Sequence, residues 1–116
     1  MTPRQNRQID YVALMLTATA QARSYSEGME KSAFLDDAKT QDAVVMKLLV
    51  IGELAAQLLD EYKEFTANHP EIPWHQMKGM RNRMAHGYFE LNMDVVWDTV
   101  QLALPDLETN LRAIQG

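Results

Sequence analysis

The 116-residue sequence contains no cysteine, which removes disulfides, thiolate nucleophiles and sulfur-ligated zinc from consideration and fits a reducing compartment. No stretch approaches the ~20 consecutive apolar residues that span a bilayer. Met1-Thr2-Pro3-Arg4-Gln5-Asn6-Arg7 does not lead into an apolar signal region with a small-residue cleavage site. The expected location is therefore the cytoplasm, with no membrane partner. There is no Gly-rich phosphate loop, no His-Glu-x-x-His zinc pair and no nucleophile elbow, so three large enzyme classes are set aside. Period-two alternation, internal repeats and low-complexity tracts are also missing, which leaves strands and solenoids without support.

Apolar residues make up 47% of the chain, enough for one core, and the length suits one domain over residues 1–116. The net charge of -5 argues against a protein that coats nucleic acid nonspecifically, because such binding rests on neutralising phosphates. Charge is unevenly placed, however. Between Ile72 and Phe89 there is no acidic side chain, whereas Lys78, Arg81, Arg83, His75 and His86 all fall there.

Helical periodicity accounts for most of the rest. Thr2-Pro3 reads as a cap and first-turn proline, followed by the stripe Ile9, Val12, Leu16 and Ala20, with Gly28 as a stop. A loop or short turn follows, over Lys31 to Asp37. Thr40 is expected to cap a central helix with the stripe Val44, Leu48, Ile51, Ala55, Leu58 and Tyr62. Gly52 interrupts that helix at ~1 kcal/mol relative to alanine, tolerable where a neighbouring backbone packs closely. His69-Pro70-Glu71-Ile72-Pro73 breaks the chain. Pro73 then starts a helix that turns Trp74, Met77 and Met84 to the core and stops at Gly87. Asn92 caps a last helix with the stripe Val96, Val100, Ala103, Leu107, Leu111 and Ile114, in which Pro105 predicts a kink. The fold class is all-α, an up-down bundle of four to five helices. Its 8 Met and 2 Trp in so small a chain suggest further burial by dimerising.

Within that frame the chemistry-bearing run is Arg81-Asn82-Arg83-Met84-Ala85-His86-Gly87-Tyr88. Arg81 and His86 stand ~140° apart on an ideal helix, but a helix that ends at His86 frees the imidazole to swing, and the carbonyl end favours its protonated form. Histidine exchanges a proton near neutral pH, while arginine offers a planar fork of donors to phosphate oxygens. RNA cleavage needs little more, because the ribose 2′-hydroxyl is a built-in nucleophile. On spacing alone, a surface Arg81 and a capping His86 remain the commoner outcome. Asn82 can orient His86 or a phosphate, or bond on the helix surface; for Arg83 too a surface side chain is the commoner outcome; Tyr88 can stack on a base or offer its hydroxyl, or sit half-buried with a wet oxygen. Asp36-Asp37 reads as solvated charge or a helix cap, since adjacent side chains diverge too far to share a metal.

The run Met80 to Tyr88 resembles the Arg-x4-His-x-Tyr motif of HepT-like ribonuclease toxins of the HEPN superfamily. The similarity extends through Phe34-Leu35-Asp36-Asp37, Thr40-Gln41-Asp42-Ala43, Ile51-Gly52-Glu53, Pro70-Glu71-Ile72-Pro73-Trp74, Trp97 and Leu104-Pro105-Asp106-Leu107. The resemblance implies a HEPN-like homodimer with two motifs facing one cleft. It further implies a metal-independent endoribonuclease without cofactor, with Arg81 and His86 as the catalytic pair, Asn82 and Arg83 supporting them, and a 2′,3′-cyclic phosphate product. It also implies the toxin half of a type VII-like toxin–antitoxin system, silenced when a nucleotidyltransferase antitoxin transfers AMP to Tyr88. Two alternatives stay open: a noncatalytic nucleotide- or RNA-binding subunit of a nucleotidyltransferase pair, and a purely structural dimerisation domain.

Overall fold

In a computed structural model that describes residues 4–87 and 90–115, with only the backbone for 4–6, no strand occurs among the described residues. The elements are α1 (Arg4–Tyr25), α2 (Lys31–Leu35), α3 (Ala38–Glu61), α4 (Lys63–Ala67), α5 (Trp74–His86), α6 (Met93–Asp98), a π-helical segment (Thr99–Ala103) and α7 (Leu104–Gln115). The chain is all-α, as the periodicity predicts. Helix α3 is the spine, packed against α1 on one side and α5 on the other, and α7 closes over α1.

The α3 stripe is buried as read: Val44, Leu48, Ile51, Ala55, Leu58 and Tyr62 all lie in the core. At ~1.5–3 kcal/mol for each large aliphatic side chain withdrawn from water, this row supplies much of the driving force. Its start differs from expectation. The cap is Asp37, whose carboxylate accepts from the Thr40 amide at 3.0 Å and from its hydroxyl at 2.6 Å. These bonds hold the Asp37 carboxyl below its usual range, the Thr40 hydroxyl being the larger cause. Asp37 thus closes the N-terminal donors of a long helix three residues earlier than Thr40 would.

The α1 stripe is also shifted. Val12, Met15, Ala18, Thr19 and Ala22 are buried, whereas Ile9 is half exposed; helix α1 shows α3 and α7 two adjoining strips of surface, so no single row of large residues marks its inner side. Thr19 stays satisfied by donating to the Met15 carbonyl at 2.7 Å. After α1, Gly28 takes a positive φ of 79°, the left-handed turn that glycine adopts without strain. The expected Thr2-Pro3 cap lies outside the described residues. The segment read as a loop or short turn holds the five-residue α2, which seats Phe34 against Trp97 of α6 with ring centroids 5.3 Å apart.

Where the sequence predicts a kink at Pro105, the chain carries a π-helical segment one turn upstream. Pro105 has no N–H, and its ring would crowd the carbonyl four residues back; the chain answers by widening into the π-helical segment, where the Leu104 N–H reaches the Thr99 carbonyl. The core row then runs Val96, Val100, Leu104, Leu107 and Leu111, while Ala103 is exposed. Asn92 caps α6 by accepting from the Asp94 amide at 2.9 Å.

One ionic contact ties α1 to α7. Glu108 accepts from Arg23 and from Arg112, each at 2.6 Å, with only 14% of its side chain exposed. The two guanidiniums, Arg112 foremost, hold its carboxyl below the usual 4.5. A carboxylate with a depressed folded-state pKa stabilises the fold above its unfolded pKa and loses that contribution as pH falls through the folded one. The stability difference between wild type and Glu108→Gln, measured by urea unfolding, is therefore expected to be constant above about pH 5 and to shrink below pH 4.5. A pH-independent difference would remove the ionic account.

Candidate active site

The segment between α4 and α5 fixes where the motif helix begins. Ile72 and Trp74 are buried, and the Trp74 indole N–H is shared between the carbonyls of Thr66 at 3.1 Å and His69 at 3.0 Å. Phe65 lies against both His69 and Trp74. With two proline-bounded residues pinned in this way, α5 leaves the turn antiparallel to α3.

The two helices meet at Gly52. A Cβ built there would lie 2.4 Å from the Arg81 Cβ and 2.7 Å from the Met77 carbonyl oxygen, distances no side chain tolerates. Gly52 is thus the notch into which α5 settles, as the sequence reading of a close backbone approach requires. Met77 packs at the core margin, while Trp74 and Met84 are buried.

This crossing fixes Arg81. Its side chain is 26% exposed, and its Nε is buried with no hydrogen-bond partner among the described residues. The nearest acid is Glu53 of α3, with its Oε1 at 3.6 Å, an ion-pair separation rather than a hydrogen bond. The guanidinium is held at its base, on the α3 side of α5.

His86 is the last residue of α5 and is exposed. The helix closes through the Gly87 N–H to the Arg83 carbonyl at 3.0 Å. The helix stops at Gly87 as the sequence predicts, with Gly87 at φ -145°. His86 and Arg83 line a cleft with Met80, Glu90, Asn92 and Val95; Arg81 is not among its walls. One chain therefore brings His86 together with Arg83 and sets Arg81 on the neighbouring side of the helix, consistent with their ~140° separation. Asn82 is exposed between them. Tyr88 lies outside the described residues.

Two contributors escape sequence reading. Glu53 stands 28 residues before Arg81, and Glu90 lines the same cleft as His86; neither spacing announces the juxtaposition. Ile51-Gly52-Glu53, one of the segments carrying the family resemblance, was the available signal.

The family described as Ribonuclease HepT-like matches residues 15–114. A probable ribonuclease HepT of Thermococcus cleftensis is 41% identical over 75 residues, covering 65% of this chain and 66% of that protein. A candidate RNase of Methanocaldococcus jannaschii is 33% identical over 96 residues, 79% of this chain and 77% of that one. Another, of Caldanaerobacter subterraneus subsp. tengcongensis, is 32% identical over 88 residues, 76% of each. The chain thus spans about two thirds to three quarters of these relatives. No solved structure matches it. The ribonuclease names of family and relatives support ribonuclease activity. On the match over residues 15–114, together with relatives aligned across most of the chain, the protein belongs to the ribonuclease HepT-like family.

Proposed function

We propose that the chain is a metal-independent endoribonuclease, the toxin half of a toxin–antitoxin pair. The observation that carries this reading is the acid-free helix α5, which ends in an exposed His86 beside Arg83 and holds Arg81 fast against Gly52. The His86 imidazole takes the proton of a ribose 2′-hydroxyl. That oxygen attacks the adjacent phosphorus, the bond to the 5′-oxygen breaks, and the leaving oxygen is protonated by an imidazolium or a water. The products are a 2′,3′-cyclic phosphate and a 5′-hydroxyl. Arg81 offers its terminal nitrogens to the phosphorane, where fixed cationic donors stabilise charge as it builds.

A second copy completes the site in this reading. Because Arg81 and His86 flank different sides of α5, two chains paired through their motif helices would place one chain's arginine toward the other's histidine. Pairing also concentrates positive charge in an acidic protein. The test is labelled RNA with purified dimer in EDTA. Cyclic-phosphate ends are expected; intact RNA from unmodified protein would favour a binding subunit instead.

Silencing by a nucleotidyltransferase partner falls on Tyr88. An AMP on that hydroxyl, two residues from His86, would add phosphate charge and bulk where the scissile phosphate must sit. Coexpression with the partner is expected to raise the intact mass in AMP steps, with no increase in Tyr88→Phe. Added mass that persists in the variant would move the acceptor elsewhere.

A further inference from the structure

The charge of α5 does not stop at the cleft. His75, Lys78, Asn82 and His86 follow one another at steps of three, four and four residues, which keeps them within ~80° on one face of the helix. The buried Met84 and the core-margin Met77 occupy the opposite side. The row is exposed apart from Lys78, which is half-buried. At its far end it opens into a groove between α4 and the start of α5, lined by Lys63, His75, Gln76 and Lys78, with Asp60 as the one carboxylate.

The lysines here differ from several other cations of the fold. Arg23, Lys31 and Arg112 are each spent on an acid at 2.6–2.7 Å. Lys63 and Lys78 have no ion-pair partner among the described residues. Lys78 lies eight residues from His86, about 12 Å along the axis at ~1.5 Å per residue. That spans three or four steps of a stacked strand at ~3.4 Å each. A strand cut at His86 can therefore keep its backbone over the row and reach the groove.

We infer that this groove is a second, noncatalytic phosphate subsite for single-stranded RNA, in which Lys78 and Lys63 hold the backbone several nucleotides from the scissile bond. The inference rests on the ribonuclease reading above. It assigns the enzyme a minimum substrate length, because a fragment too short to reach the groove gains nothing from it. Lys78 supplies a compact, hydrated charge to a phosphate and reads no base, so the subsite selects for length and not for sequence.

The experiment compares a dinucleoside monophosphate with an unstructured twelve-nucleotide RNA as substrates of the dimer. In Lys63→Ala/Lys78→Ala the KM for the longer RNA is expected to rise about tenfold with kcat within about twofold, while kcat/KM for the dinucleoside is unchanged. The salt dependence of binding to the longer RNA should flatten by ~0.7 for each phosphate that is no longer neutralised. Lys39→Ala, which removes an exposed charge elsewhere, should do neither. Equal effects on both substrates, no effect on either, or an equal effect of Lys39→Ala would overturn the subsite. If wild type cleaves neither RNA, the ribonuclease reading fails on its own. Binding of the labelled twelve-nucleotide RNA then decides the groove, and an unchanged salt slope in the double variant would sink it.

Discussion

Replacing His86 with alanine is expected to lower RNA cleavage by ~10²–10⁴-fold, the range for losing a positioned acid or base, while RNA binding and fold persist. The structural reason for the split is exposure. His86 is the last helical residue and contributes nothing to the core, so its truncation should change stability by no more than ~0.5 kcal/mol. The barrier, in contrast, rises by roughly 3–5 kcal/mol at 1.36 kcal/mol per tenfold. Cleavage of labelled RNA in EDTA, with a filter-binding measurement on the same preparations, checks both halves. A variant that cleaves within tenfold of wild type would take the proton transfer away from His86.

Gly52→Ala is the largest expected effect on the fold. Alanine is favoured over glycine within a helix by ~1 kcal/mol, so propensity alone predicts stabilisation. Packing reverses the sign. The new Cβ meets the Arg81 Cβ at 2.4 Å and the Met77 carbonyl at 2.7 Å; the second is backbone and cannot rotate away. Overpacking of this kind costs ~1–3 kcal/mol. Because α5 must lift to admit the methyl, Arg81 moves as well. We expect the melting temperature to fall by roughly 4–8 °C and cleavage to fall with it. Arg81→Ala keeps the offending Cβ and should not rescue the melting temperature of the double variant. A Gly52→Ala protein as stable and active as wild type would mean that the two helices do not cross here.

The same position shows how far sequence carries. An interrupted stripe with glycine at its centre announces a close approach, and the structure supplies one. The row Val44 to Tyr62 was equally legible, since a helix buried along one side by one pair of neighbours leaves a clean three-and-four repeat. Helix α1 was less so, because it serves two neighbours and fills its inner face with alanine and threonine. The register of the last helix hid for another reason: Pro105 displaces its cost upstream, so Leu104 rather than Ala103 takes the core position. In the site, the residue types of Arg81, Arg83 and His86 were readable and their arrangement was not. Which side of α5 each one takes depends on the Gly52 crossing and on the closure at Gly87.

Helix α5 leans chiefly on α3 and keeps one long side free. Such an element can drift in sequence along that side at little expense to the scaffold, since surface changes away from caps and core mostly stay within ~0.5 kcal/mol. With the subsite proposed above, substrate preference and fold would be separately heritable: His75, Lys78 and Asn82 can be rewritten while Gly52, Met77 and Met84 hold the helix in place. The notch at Gly52 is where the two lineages of change meet, and it leaves room for only one residue.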